Sequence, residues 1–376
     1  MNKFKKYLFV CLVLACLVPA IQKQHPFINT LPLKGWFATM EMPTFTWDSW
    51  FSGKFQADFD KSLELNVGLH PAFVRLNNQI NYSLFNFATA KNVFVGKDGY
   101  LFEEGYINSY MGVYRADSNL VKLKLAKAEF VRNQLEKKGK HLLIILAPGK
   151  ASFYPEYIPY QYYPEEKKTS NYDLYSKFLK SSDLNYIDFN GYFMKLKGKT
   201  PFPLYPKQGT HWSIYGATLA MDSLLKYLKY NFNYNLPQIK IKGIELPDDW
   251  RESDYDIGAG MNIMFPMKID KLAYPKIEFE NDPTLFRPSV IAVGDSYYWT
   301  FTGLGLNTKA FKDHEFWYYN KIDYVDYNGE KPVDRANTAT EILKKDLIIV
   351  IQTEAYYHDL GMGFIENAYE QLKNKQ

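Results

Sequence analysis

The chain predicts an α/β fold in which a parallel sheet is flanked by helices, with an N-terminal accessory layer ahead of it. Two observations predict it. Three short runs, His141 to Ala147, Val290 to Gly294 and Leu347 to Ile351, are apolar along nearly their whole length, the pattern of strands buried on both faces. Stretches of helical period lie among them: Asp117 to Lys138, Asn171 to Leu179, Ser213 to Tyr230 and Phe364 to Leu372. Strands alternating with helices argue for a parallel sheet covered on both sides. With 376 residues, 47% hydrophobic and 23% charged, the chain can bury such a core, in about two domains or one large α/β domain with insertions.

Lys3, Lys5 and Lys6 precede an apolar run from Tyr7 to Ile21. A positive start followed by a short hydrophobic stretch is the layout of an export signal. The run is shorter than the ~20 residues that span a bilayer comfortably. Three fates fit it: a retained anchor with the lysines inside, cleavage after Val18-Pro19-Ala20, or lipidation of Cys16. Each places the rest of the chain outside the cytoplasm, in a periplasmic or equivalent space. Both cysteines, Cys11 and Cys16, lie in this run, so the remainder holds no thiol, disulfide or cysteine metal site. The expected organisation is a signal or membrane anchor over 1–22, an aromatic accessory region over 23–90 and the α/β domain over 91–376.

In the accessory region, Phe55 to Phe87 reads as helical, with a break at His70-Pro71. It is expected to pack on the main sheet. Val93-Phe94-Val95 and Tyr100-Leu101-Phe102 flank Asp98-Gly99 and read as a hairpin. Gly139 caps the helix before His141, and Tyr186 to Phe189 reads as a further strand. Lys240 to Asp282, rich in Pro, Asp and Gly, reads as a long excursion over the sheet edge, and such excursions are often functional.

Composition excludes several classes. A formal charge of +4 and the lack of a basic stripe give no reason to expect a nucleic-acid partner. No P-loop or dinucleotide-binding glycine turn is present, and neither a cofactor nor a metal is expected. The 31 Tyr and 27 Phe suit carbohydrate-facing surfaces and ordinary aromatic packing alike.

The candidate chemistry starts at Gly294-Asp295-Ser296, directly after an apolar strand. Gly294 lets the backbone turn, Asp295 shapes the turn, and Ser296 is presented at the C-terminal edge of the sheet, where open α/β folds keep their sites. A serine hydroxyl needs a base to become a nucleophile. Of six histidines, His25, His70, His141, His314 and His358 sit near the membrane, in the accessory layer, on a core strand or in polar loops. His211, in Gly209-Thr210-His211-Trp212-Ser213, stands at a loop-to-helix junction. That is where a base must be to meet Ser296.

These motifs resemble the SGNH-hydrolase-like domain of alginate O-acetyltransferases of the AlgJ/AlgX type. Val95 to Phe102 resembles that family's opening hairpin. Ala147-Pro148-Gly149-Lys150 with Tyr154-Pro155-Glu156 resembles its first sheet strand and loop, and Thr210 to Ala217 resembles its histidine motif. The resemblance runs from about Phe51 to Glu366. It implies an extracytoplasmic enzyme that places acetyl groups on polysaccharide hydroxyls, beside a membrane-bound O-acyltransferase that supplies them. Ser296 would be the nucleophile, His211 the base, and the Ser296 N–H with another donor, Asn320 being one candidate, the oxyanion hole. The family usually carries Asp two residues before the histidine; this chain has Gly209. Asp254, Asp256, Glu354 and Asp188 are the candidate replacements, with Asp188 also suited to ending a strand and Lys150 to a solvated loop. A carbohydrate esterase using the same pair, and an inactive glycan-binding assembly protein, are the alternatives; Gly209 favours the last.

Overall fold

The three apolar runs lie side by side. In the computed structural model, which describes residues 2–35, 38–162, 166–325 and 329–375, the chain divides into two compact units. The first comprises 1–93 and 257–268, the second 94–256 and 269–376. Twelve residues of the excursion, 257–268, group with the N-terminal part.

The first unit is helical. It contains α1 (Asn2–Gln24), α2 (Trp47–Phe51), α3 (Lys54–Asn66) and α4 (His70–Phe85). The helical stretch breaks between Asn66 and His70, and Pro71 lies in the first turn of α4, which has no use for its missing N–H. Over Lys3–Gln24, α1 is long and apolar enough to cross a membrane.

A two-stranded ribbon, β1 (Val93–Val95) and β2 (Leu101–Glu103), leads into the second unit. Then come α5 (Glu104–Met111), α6 (Ser118–Glu136), β3 (His141–Ala147), α7 (Lys150–Phe153), α8 (Asn171–Leu179), β4 (Tyr186–Asp188), α9 (Phe189–Leu196) and α10 (Ile214–Asn231). The excursion holds β5 (Ile239–Glu245), α11 (Asp256–Gly260) and β6 (Tyr274–Phe279); β5 and β6 pair as an antiparallel ribbon. Next are β7 (Ser289–Gly294), α12 (Tyr298–Gly303), β8 (Lys312–Tyr318), β9 (Ile322–Val325), β10 (Glu330–Pro332), α13 (Thr338–Ile342), β11 (Leu347–Thr353) and α14 (Phe364–Lys373).

The main sheet has seven strands in the order β10-β9-β8-β7-β11-β3-β4. The five from β8 to β4 are parallel; β9 and β10 extend the edge antiparallel. The sheet is therefore mixed, where the sequence predicted a parallel one. Alternation along the strands splits the core in two. Leu143, Ile145, Val290, Ala292, Ile349 and Ile351 face α10 and α12, whereas Leu142, Ile144, Ile291, Val293, Ile348 and Val350 face α6, α8, α13 and α14. This is the doubly covered arrangement that fully apolar strands demand.

The chain moves from β3 outward to β4 and from β7 outward to β8, in opposite directions from the centre. Open α/β sheets hold their ligands where the strand order diverges in this way. Gly294 ends β7 at that point. Its backbone is not in the left-handed region, so a sharp turn is not why glycine is needed. A Cβ there would lie 2.3 Å from the Ile351 carbonyl oxygen on the neighbouring strand. Gly294→Ala must push β7 from β11, and overpacking of this kind costs about 1–3 kcal/mol. A lowered thermal midpoint with unchanged secondary structure by circular dichroism is the expected outcome.

Candidate active site

Ser296 follows β7, and its backbone N–H makes no hydrogen bond among the described residues. Asp295 secures the turn from below. It is fully buried and accepts from the Tyr297 N–H at 3.1 Å, the Thr353 N–H at 2.7 Å and the Thr353 hydroxyl at 2.8 Å. Burial holds its pKa above the ordinary aspartate value despite these donors. The strand-end turn is thereby bolted to the end of β11.

His211 lies in the loop before α10, whose N-cap Ser213 accepts from the Gly216 N–H at 3.0 Å. The loop is fixed residue by residue. Trp212 is completely buried. The Tyr297 hydroxyl donates to the Thr210 carbonyl at 2.8 Å, and the Thr210 hydroxyl reaches Glu103 at 2.9 Å. Lys150, instead of being solvated, is buried and donates to the carbonyls of Leu101, Lys207 and Gly209 at 2.8, 2.6 and 2.8 Å. Burial lowers its pKa to about 7, partly offset by Asp256 and Glu103; three carbonyls nevertheless match the three protons of an ammonium.

The pair meets. His211 Nε2 is 2.8 Å from Ser296 Oγ, and His211 Nδ1 is 3.0 Å from Asp256 Oδ2. The other Asp256 oxygen accepts the Thr210 N–H at 2.8 Å. A carboxylate can only accept, so Nδ1 carries a proton and Nε2 offers its lone pair to the serine. Asp256, His211 and Ser296 thus form one hydrogen-bonded line, the geometry that a nucleophile, a base and an orienting acid require.

Gly209 explains itself once Asp256 is placed. A Cβ at Gly209 would lie 2.6 Å from the Ser253 carbonyl oxygen, 2.7 Å from Pro206 Cγ and 2.8 Å from the Asp254 carbonyl oxygen. The backbone that delivers Asp256 occupies the space a side chain at 209 would need. The carboxylate that meets His211 thus stands 45 residues after it in the sequence.

The remaining candidates lie elsewhere. Glu354 does not reach His211: it is buried and accepts from the Gly149 N–H at 3.2 Å and from Ser152 and Asn190. Asp254, two residues from Asp256, is buried beside Tyr274. Asp188 caps α9 through the Gly191 N–H. Asn320 is buried, its Nδ2 donates to the Met362 carbonyl at 3.0 Å, and it does not line the cleft at Ser296. His314, expected in a polar loop, is buried on β8 against the Tyr298 hydroxyl, and burial lowers its pKa to about 3. Among the described residues no cluster could hold a metal ion.

Ser296 and His211 open onto a cleft of about 380 Å³. Its walls include Ile214, Pro275, Trp299 and Leu304, with Arg251 and Tyr274 on the polar side. Sequence reasoning passed over these residues, because nothing local marks a pocket wall assembled from four separate segments.

Residues 93–246 match the family described as SGNH hydrolase-like domain, acetyltransferase AlgX. The matched segment contains Gly209 and His211 and ends before Asp256 and Ser296. The O-acetyltransferase domain of Pseudomonas putida AlgJ is similar in structure: 18% identity, 76% of this chain and 99% of that one covered, TM-score 0.47. Pseudomonas aeruginosa AlgX shows 17% identity, 73% and 67% coverage and a TM-score of 0.45. Bacillus cereus PatB1 shows 10%, 72% and 99%, and 0.46. No curated protein sequence matches the chain.

Two outcomes follow from the placement of the acids. Asp256→Asn should slow any Ser296-dependent acyl turnover by on the order of 10⁴, as loss of the orienting acid does in a serine protease. Adding Gly209→Asp should not restore it, since that space is filled; single-turnover rates on an activated ester would read both. Burial raises the Glu354 pKa from 4.5 to about 7. The folded chain therefore binds more protons than the unfolded one between these values, and this group's stabilisation, full below pH 4.5, is lost as pH rises through 7. Glu354→Gln should flatten that part of the stability profile in denaturant titrations across the same window.

Proposed function

We propose that this protein is an extracytoplasmic O-acetyltransferase that esterifies polysaccharide hydroxyls through an acetyl-enzyme on Ser296. The observation that carries the reading is the line Asp256–His211–Ser296, with contacts of 3.0 and 2.8 Å. The match of 93–246 to an acetyltransferase family supports the acetyl group as the one transferred.

In the first half-reaction, His211 Nε2 takes the Ser296 Oγ proton as Oγ attacks the donor's acetyl carbonyl carbon. Asp256 holds the imidazole in the required tautomer and stabilises its positive charge. The Ser296 N–H faces the developing oxyanion. The tetrahedral intermediate collapses, the donor oxygen leaves with the proton from His211, and Ser296 carries the acetyl ester. In the second, a sugar hydroxyl gives its proton to Nε2 and attacks the acetyl carbon. The new ester leaves and Ser296 Oγ recovers its proton.

Trp299, Ile214, Pro275 and Leu304 give the cleft an apolar wall and Arg251 and Tyr274 a polar one, a combination suited to a sugar ring. The apolar α1 serves as an export signal or anchor, and a membrane-bound O-acyltransferase supplies the acetyl group from the other side. Gly209 does not mark a dead site, because Asp256 takes the acid's place.

The soluble chain from Gln24 onward would be incubated with p-nitrophenyl acetate, with and without a candidate glycan, and followed by intact mass. One acetyl adduct in the parent, none in Ser296→Ala, and acetylated glycan as product are expected. Free acetate alone would select the esterase, and an adduct that survives Ser296→Ala would overturn the assignment.

A further inference from the structure

Helix α4 is built inside out. Its polar side chains are the ones that make contacts: Asn78 Nδ2 donates to the Met261 carbonyl at 2.8 Å, Arg75 to the carbonyls of Pro32 at 2.9 Å and Ile263 at 3.2 Å, and Gln79 accepts the Phe265 N–H at 3.0 Å. Phe73, Leu76, Ile80 and Leu84 occupy the opposite side at spacings of 3, 4 and 4 and are between 45% and 72% exposed. A helix in water does the reverse. This unit therefore turns a continuous apolar stripe outward and secures it there with hydrogen bonds from behind.

What covers the stripe is indicated by α1. A Cβ on Gly68 would lie 2.1 Å from the Pro19 carbonyl oxygen and 2.7 Å from the Lys23 nitrogen. Only glycine fits, so the start of α4, two residues on, is pinned against the last turns of the one described helix able to cross a membrane. The same unit exposes Phe45, Trp47, Trp50 and Phe51, which pack on one another. Indole rings of this kind favour the headgroup level of a bilayer.

We propose that α4 is a membrane-surface helix, lying with its Phe73–Leu76–Ile80–Leu84 stripe in the lipid of the leaflet from which α1 emerges. Burying such a face gives reversible interfacial binding. It would add a second membrane contact to the single span. The inference rests on reading α1 as membrane-inserted, and not on the chemistry at Ser296.

The full chain would be reconstituted in phosphatidylcholine–phosphatidylglycerol vesicles. Environment-sensitive fluorophores would be placed on single cysteines at Ile80→Cys and Leu84→Cys in a Cys11→Ser, Cys16→Ser background, and at Lys177→Cys as a control in the other unit. Native Cys11, labelled alone, reports α1. Nitroxide on lipid acyl chains should quench the Ile80 and Leu84 probes several-fold more than the Lys177 probe, and aqueous iodide should do the opposite. Iodide access at 80 and 84 while Cys11 is lipid-quenched overturns the proposal and leaves the span standing. Shielding from both quenchers overturns it in favour of a protein cover, such as a second copy. Loss of lipid quenching at Cys11 and at both α4 positions overturns span and surface helix together. Unchanged melting curves for the cysteine variants establish that each is folded.

Discussion

One carboxylate organises the candidate site. Asp256 accepts from the His211 ring with one oxygen and from the Thr210 N–H with the other. It therefore fixes both the tautomer of the imidazole and the backbone that carries it. The loop's other supports, among them the Lys150 ammonium on the Gly209 carbonyl and the Tyr297 hydroxyl on the Thr210 carbonyl, hold the same backbone from beneath. A base aimed at a serine has to be positioned to within a fraction of an ångström. Here that positioning comes from polar groups hydrogen-bonded to one another around the Thr210–His211 backbone, so loosening one would shift its neighbours.

The architecture follows from the strands. β7, β11 and β3 are apolar on both faces, so helices must cover both. The sheet then has one accessible rim at which loops can converge, and Gly294-Asp295-Ser296, the Thr210–Trp212 loop and the Arg251–Asp256 turn meet there. Asp295 is buried in that convergence, linking the end of β7 to the end of β11 through Thr353. Its role is mechanical, although it neighbours the proposed nucleophile in sequence.

Ser296 and His211 were legible as a pair because each sits beside a strongly patterned element, and such elements fix where their ends point. Asp256 was legible only as one of several acids. It lies in an irregular turn, where Asp254 and Asp256 are equally plausible on paper and only the fold decides which faces inward. Glu354 looked suitable because it follows the last strand, but the side chains of Ser152 and Asn190, distant in sequence, claim it. The antiparallel edge went unseen for another reason. Lys312-Asp313-His314-Glu315-Phe316-Trp317-Tyr318, the parallel strand to which that edge attaches, mixes charge with aromatics and lacks an unbroken apolar run, and β9 and β10 are shorter still. Gly294 was singled out correctly for a mistaken reason: the neighbouring Ile351 carbonyl, not the turn, requires it.

The crowding at Gly209 has a bearing on how candidate sites are read from linear motifs. A pattern that demands an aspartate two positions ahead of the histidine would file this chain with the pseudoenzymes. Yet the space a side chain at Gly209 would need is filled by the carbonyls of Ser253 and Asp254, on the turn that carries Asp256. Where a departure from a linear motif coincides with a crowded glycine, a carboxylate from elsewhere in the chain can stand in the crowded space, and a pattern written on neighbouring positions alone will not see it.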